Sequence, residues 1–159
     1  MNLIKVTSLL IFSLMSFCVH AEDLESWSLP DPSDLIAGSN ILCLDQSKSA
    51  LAAALYRDMG VAQEKVNQLI PEGPKSLSLR LISVMRENIE DAYKYPNISK
   101  YSLYSFRSEV CMREVLEAKR LPRFSMAYPS IVMCQKKYGS EKSNDLFLCI
   151  KSSIGKIVQ

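Results

Sequence analysis

The chain predicts an all-α fold: a small disulfide-stabilised bundle of five to six helices ending in a helical hairpin. Three observations carry that expectation. Apolar residues recur at helical spacing in blocks separated by proline and glycine. No stretch alternates apolar and polar residues over strand length. Four of the five cysteines lie downstream of an N-terminal export signal, an even number suited to two cystines.

The signal is read from Met1 to Ala21. Lys5 supplies an early positive charge and an apolar run follows from Val6 to about Cys18. Val19-His20-Ala21 then places small residues at the −3 and −1 positions of a cleavage site before Glu22. The run is too short for a membrane span, which needs about 20 apolar residues. Residues 1–21 are therefore expected to be removed and the product exported, periplasmic or extracellular, with no membrane insertion. Phe17 before Cys18 is too large for a lipoprotein cleavage site.

Residues 22–40 read as an acidic lead segment. Glu22, Asp23, Glu25, Asp31 and Asp34 carry no balancing base, and Pro30, Pro32 and Gly38 disfavour a core element. Trp27 is either packed back onto the body or exposed as a partner anchor. Residues 41–159 form the expected helical domain.

Its first helix is expected over Ile41–Met59, with Leu44, Leu51 and Leu55 as one stripe and Gly60 as a left-handed stop. A shorter one over Val61–Ile70 turns Val66, Leu69 and Ile70 inward, and Pro71, Gly73 and Pro74 end it. Ser76 then caps a helix to about Tyr95, striped by Leu81, Met85, Ile89 and Ala92 and stopped by Pro96. The next runs from about Tyr101 to Arg120, with Leu103, Phe106, Val110 and Cys111 inward. The final hairpin has Pro129 in its first turn, a stop at Gly139, and Ser143 capping the last helix.

That hairpin selects a cystine frame. Cys134 is one turn after Ile131 and Cys149 one turn after Leu146, so antiparallel helices bring the two sulfurs together. Pairing Cys134 with Cys149 leaves Cys43 for Cys111, one of three connectivities that four cysteines allow. The absence of any C-x-x-C pair argues against a zinc site or a dithiol redox motif.

Charge and composition narrow the function. The formal net charge is only +2, without the basic footprint of a nucleic-acid binder. The one histidine, His20, lies in the signal, which leaves the expected product without imidazole for nucleophile activation, acid–base work or metal ligation. Glu87 and Asp91 share a helix face and could form a carboxylate pair for glycoside hydrolysis, although Glu90 four residues before Lys94 also fits a solvated face. Ser47-Lys48 and Ser99-Lys100 are adjacent pairs that do not face each other on a helix. Arg107, Arg113, Lys119, Arg120 and Arg123, interleaved with Glu109, Glu114 and Glu117, read as a salt-bridged outer face. Asn97-Ile98-Ser99 matches an N-glycosylation sequon.

No catalytic, cofactor-binding or metal-binding residue is therefore assigned, and no cofactor is expected. The aromatic group Tyr93, Tyr95, Tyr101, Tyr104 and Phe106 surrounds the Pro96 turn, and Trp27, Tyr95, Tyr101 and Tyr104 are the candidate partner surface. In size, export, helicity and cystine clips the chain resembles small bacterial envelope proteins, including inhibitors and immunity proteins, by architecture and not by motif. The leading expectation is a non-enzymatic protein acting by contact with another protein of the envelope or medium, as an inhibitor or immunity-type protein. The alternatives are an envelope stress or chaperone-like protein and a histidine-free carboxylate enzyme acting on wall polysaccharide.

Overall fold

The computed structural model describes residues 37–71, 79–117 and 121–157; Trp27, the signal and the Ser76 cap lie outside them. Among these residues there are six helices: α1 Ala37–Asp58, α2 Gln63–Asn67, α3 Leu79–Lys94, α4 Lys100–Glu117, α5 Phe124–Tyr138 and α6 Asn144–Ile157. No described helix is long and apolar enough to cross a membrane. The bundle is all-α and clipped by two cystines.

α4 is the helix around which the others assemble. It packs against α1 and against the α5–α6 hairpin, while α1 also packs on α3. Every residue from Ser102 to Cys111 is buried. A helix enclosed in this way must satisfy its polar groups internally. Ser105 Oγ donates to the Tyr101 carbonyl at 2.7 Å, and Arg113 Nε donates to the buried Glu109 at 2.6 Å. Ser99 caps the start by accepting the Ser102 N–H at 3.2 Å.

α1 begins four residues before the expected Ile41, running through Gly38-Ser39-Asn40. Once the alanine-rich stretch has nucleated, each added residue gains a hydrogen bond, so weak formers are carried along. Its inner face also differs from the leucine stripe. Of the stripe only Leu51 is buried, while Leu44 and Leu55 are half-buried, and the rest of the buried face is Cys43, Gln46, Ser47, Ala50, Ala53 and Ala54. The small Cys43, Ser47, Ala50 and Ala54 face a serine-containing helix, which lets the two backbones come close. The Cys43–Cys111 bond joins them with 5.4 Å between Cα atoms.

α1 meets α3 through a polar bridge. Asn88, 2 % exposed, donates to the Gln46 carbonyl at 3.0 Å and to Ser49 Oγ at 2.6 Å. Arg57 closes the other end, donating to the Ala92 carbonyl at 3.0 Å and capping the C-terminus of α3 where a cation is favoured. Tyr93 donates its hydroxyl to the Val61 carbonyl. α2 is shorter than expected: after Asn67 the chain turns through i→i+3 bonds. Val66 and Ile70 stay inside and Leu69 is exposed.

The hairpin departs from expectation at one end. α5 starts at Phe124, so Pro129 lies within the helix, not in its first turn. Proline cannot donate to the carbonyl four residues back. Burial of Phe124, Ala127, Ile131 and Cys134 along one face offsets that loss. Cys134 is bonded to Cys149, Cα atoms 5.7 Å apart. Ser143 caps α6 by accepting the Leu146 N–H at 3.1 Å.

Gly139 ends α5 at φ 85°, ψ 175°, backbone that essentially only glycine adopts. A Cβ there would meet open space, so Gly139→Ala tests conformation alone. It is expected to lower unfolding free energy by about 1–3 kcal/mol in urea titrations. An unchanged midpoint would mean that the turn relaxes at no cost.

Candidate functional site

α3, α4 and residues 121–125 enclose a cleft of about 300 Å³. α3 places Glu87, Glu90, Asp91 and Lys94 along it, because positions three and four apart share a helix face. α4 supplies Phe106, Arg107 and Glu114, and the approach to α5 adds Leu121, Arg123 and Phe124. Phe124 packs edge-on against Phe106, ring centroids 4.9 Å apart, and Tyr95 lies 5.1 Å from Phe124. The cleft thus has an aromatic wall and a charged floor and rim.

Arg107 is the centre of the floor. Only 6 % exposed, it faces two acids of α3: Nη1 lies 3.4 Å from Glu87 and Nη2 3.6 Å from Asp91. Both distances exceed the 2.7–2.9 Å of a strong charge-assisted bond. Its Nε is buried without a hydrogen-bond partner. A second pair, Arg80–Glu114 at 2.6 Å, ties α3 to α4 at the edge of the cleft.

Burial shifts these groups in opposite directions. Asp91 is pushed up to about 6, first by loss of solvent and then by Glu90 and Glu87, against the pull of Arg107. Arg107 is lowered by burial, opposed by Glu87 and Asp91; a guanidinium nevertheless stays charged at any physiological pH.

The expected contact residues divide among different places. Tyr95 is half-buried and lines this cleft. Tyr101 is half-buried and lines a more open hollow beside Asn97, Ser140 and Glu141. Tyr104 is 4 % exposed and lies outside the lining of this cleft, which removes it from the contact surface. The tyrosines do not form one surface.

Glu87 and Asp91 do share a face, and both converge on one cation. Ser47 is fully buried with its hydroxyl donated to the Cys43 carbonyl, and Ser99 is the cap of α4, so neither forms a dyad with its neighbouring lysine. Asn97 of the sequon is exposed, and the Gln135 side chain donates to its carbonyl at 3.1 Å.

Arg107 is the residue that the pattern concealed. The outer-face reading holds for Arg113 with Glu109 in register only, since Glu109 itself is buried, and it fails for Arg107. The available signal was Ser102, Ser105 and Ser108 at three-residue spacing around it. Small polar residues on several sides of a helix let neighbours close over a long side chain.

No family model, curated protein or solved structure matches this chain.

Proposed function

We propose that this is an exported, non-enzymatic binding protein that acts by contact with another protein of the envelope or medium, in the manner of an inhibitor or immunity-type protein, and that the Arg107 cleft is where it makes that contact. The observation that carries this reading is a buried guanidinium, incompletely hydrogen-bonded, at the base of an aromatic-walled cleft. Buried aromatic and arginine side chains dominate binding energies at protein interfaces. Cystines anchor α4 to α1 and α5 to α6, and α4 and α5 both line the cleft, which reduces the ordering cost of association. Export follows the reading of residues 1–21 as a cleaved signal, and cystines suit an oxidising compartment.

The experiment is capture of envelope and medium proteins on oxidised residues 22–159, compared with Glu90→Lys and Arg123→Glu. Both residues are exposed on the cleft rim. One stoichiometric partner is expected, with at least about tenfold weaker binding to the double charge reversal. A partner retained equally by both proteins would place the contact elsewhere.

One feature favours a second reading, a chaperone-like protein. Met126 (60 % exposed), Met133 (72 %) and Leu148 (55 %) present apolar surface on the α5–α6 hairpin. Methionine adapts to many partners. That reading requires weak binding to many unfolded clients, which the same capture would display as numerous substoichiometric bands.

A further inference from the structure

We propose that the Arg107 cleft is a receptor for a carboxylate borne on an apolar group, such as the C-terminus of a partner chain ending in an aromatic or aliphatic residue. The inference rests on the reading of the cleft as the contact site and names what the site recognises. A guanidinium carries five donors in a fixed fork that matches a carboxylate with two parallel bonds. In Arg107 one of those donors is hydrogen-bonded, to Glu87 at 3.4 Å, while Asp91 stands off at 3.6 Å and Nε has no acceptor. A buried arginine left in this condition bears a desolvation cost that an entering oxyanion relieves. Tyr95, Phe106 and Phe124 supply the apolar wall beside it. Charge and wall together fit an apolar carboxylate better than a bare inorganic anion.

The acids around the fork make entry depend on pH. Glu87, Glu90 and Lys94 face Asp91 from α3, Arg107 and Glu114 from α4, and Arg80 and Arg123 stand at the rim. Asp91 sheds its charge as pH falls through about 6. Below that point the repulsion that Asp91 presents to an incoming carboxylate falls, while Glu87 stays at pairing distance from Arg107. The ligand itself stays ionised down to about pH 4. Binding is therefore strongest between about pH 4 and pH 6.

The test is calorimetric titration of oxidised residues 22–159 with N-acetyl-phenylalanine, its amide, and inorganic phosphate, at about pH 5 and about pH 8. The carboxylate is expected to bind at least about fivefold more tightly at the lower pH, and both the amide and phosphate to bind much more weakly. Asp91→Asn should bring the affinity at about pH 8 to the acidic value. Arg107→Lys keeps the charge, loses the fork and should weaken binding about tenfold. Should Arg107→Lys fail to fold, the Asp91→Asn comparison decides alone. Equal binding of acid and amide, preferential binding of phosphate, or no binding of the acid at either pH would overturn the carboxylate assignment. A partner captured through the cleft rim despite such a result would leave the binding function standing and remove only this ligand class.

Discussion

Removing the Cys43–Cys111 bond by changing both cysteines to alanine is expected to cost about 4 kcal/mol of stability, against about 3 kcal/mol for the Cys134–Cys149 pair. The difference follows from the closed loops, whose ends are 68 and 15 residues apart. A cross-link over a longer loop removes more conformations from the unfolded chain. The long bond also has a structural position the short one lacks: it holds α1 against α4, the helix on which the bundle is assembled. Alanine is the appropriate replacement because Cys43 and Cys111 are 3 % and 2 % exposed, and a serine hydroxyl there would add its own burial cost. Marginal domains have only about 5–15 kcal/mol in hand, so the first double variant should show a greatly lowered urea midpoint. A larger loss from the hairpin pair would contradict this assignment of α4 as the organising helix.

Asp91→Asn is expected to stabilise the protein near neutrality and to leave it unchanged in acid. The folded protein holds the Asp91 proton up to about pH 6, whereas the unfolded chain releases it near the ordinary value of 3.8. Between those values the folded state binds more protons than the unfolded one, so this group's contribution to stability falls as pH rises through the window. Above about pH 6 the full cost is present; below 3.8 it vanishes. Two pKa units correspond to about 3 kcal/mol, and solvent on the open side of the cleft reduces this to about 2 kcal/mol. Asparagine retains the shape and cannot ionise. Unfolding free energies measured at about pH 4 and about pH 7 should therefore differ between wild type and variant only at the higher pH. A variant destabilised at neutrality would mean that the Asp91–Arg107 attraction outweighs the burial of the carboxylate.

The helices were legible where local chemistry decides them. Gly60 and Gly139 both take positive φ at helix ends, Ser143 caps α6, and Pro96 follows the end of α3. The hairpin cystine was legible for a similar reason, because helical phase alone brings Cys134 and Cys149 to one side. Tertiary burial was not. α1 shows a leucine stripe in its sequence, yet only Leu51 of it is buried, and Cys43, Ser47, Ala50 and Ala54 make up the face toward α4, since close approach outweighs side-chain size. Pro129 was misplaced because the apolar contacts of Phe124 extend the helix ahead of it.

The same limit hid most of the candidate site. Periodicity placed Glu87 and Asp91 together, since both are on one helix. It could not join them to Arg107, sixteen residues beyond Asp91 on a helix that reads as half solvated. Nor could it assign the tyrosines, whose spacing is compatible with one exposed cluster until α4 is seen to be covered around Tyr104. Pairing across helices is a property of packing, and only the assembled bundle brings these side chains within reach.

The central claim is that the Arg107 cleft is the contact face, and site-specific photo-crosslinking tests it most directly. A crosslinking residue at Ser125, exposed on the cleft, is compared with one at Lys48, exposed on α1 and outside the cleft lining. Irradiation in source-cell envelope and medium fractions is expected to give one discrete adduct from Ser125, lost in the Glu90→Lys, Arg123→Glu background, and none from Lys48. Adducts of equal yield from both positions, or a discrete adduct from Lys48 alone, would contradict it.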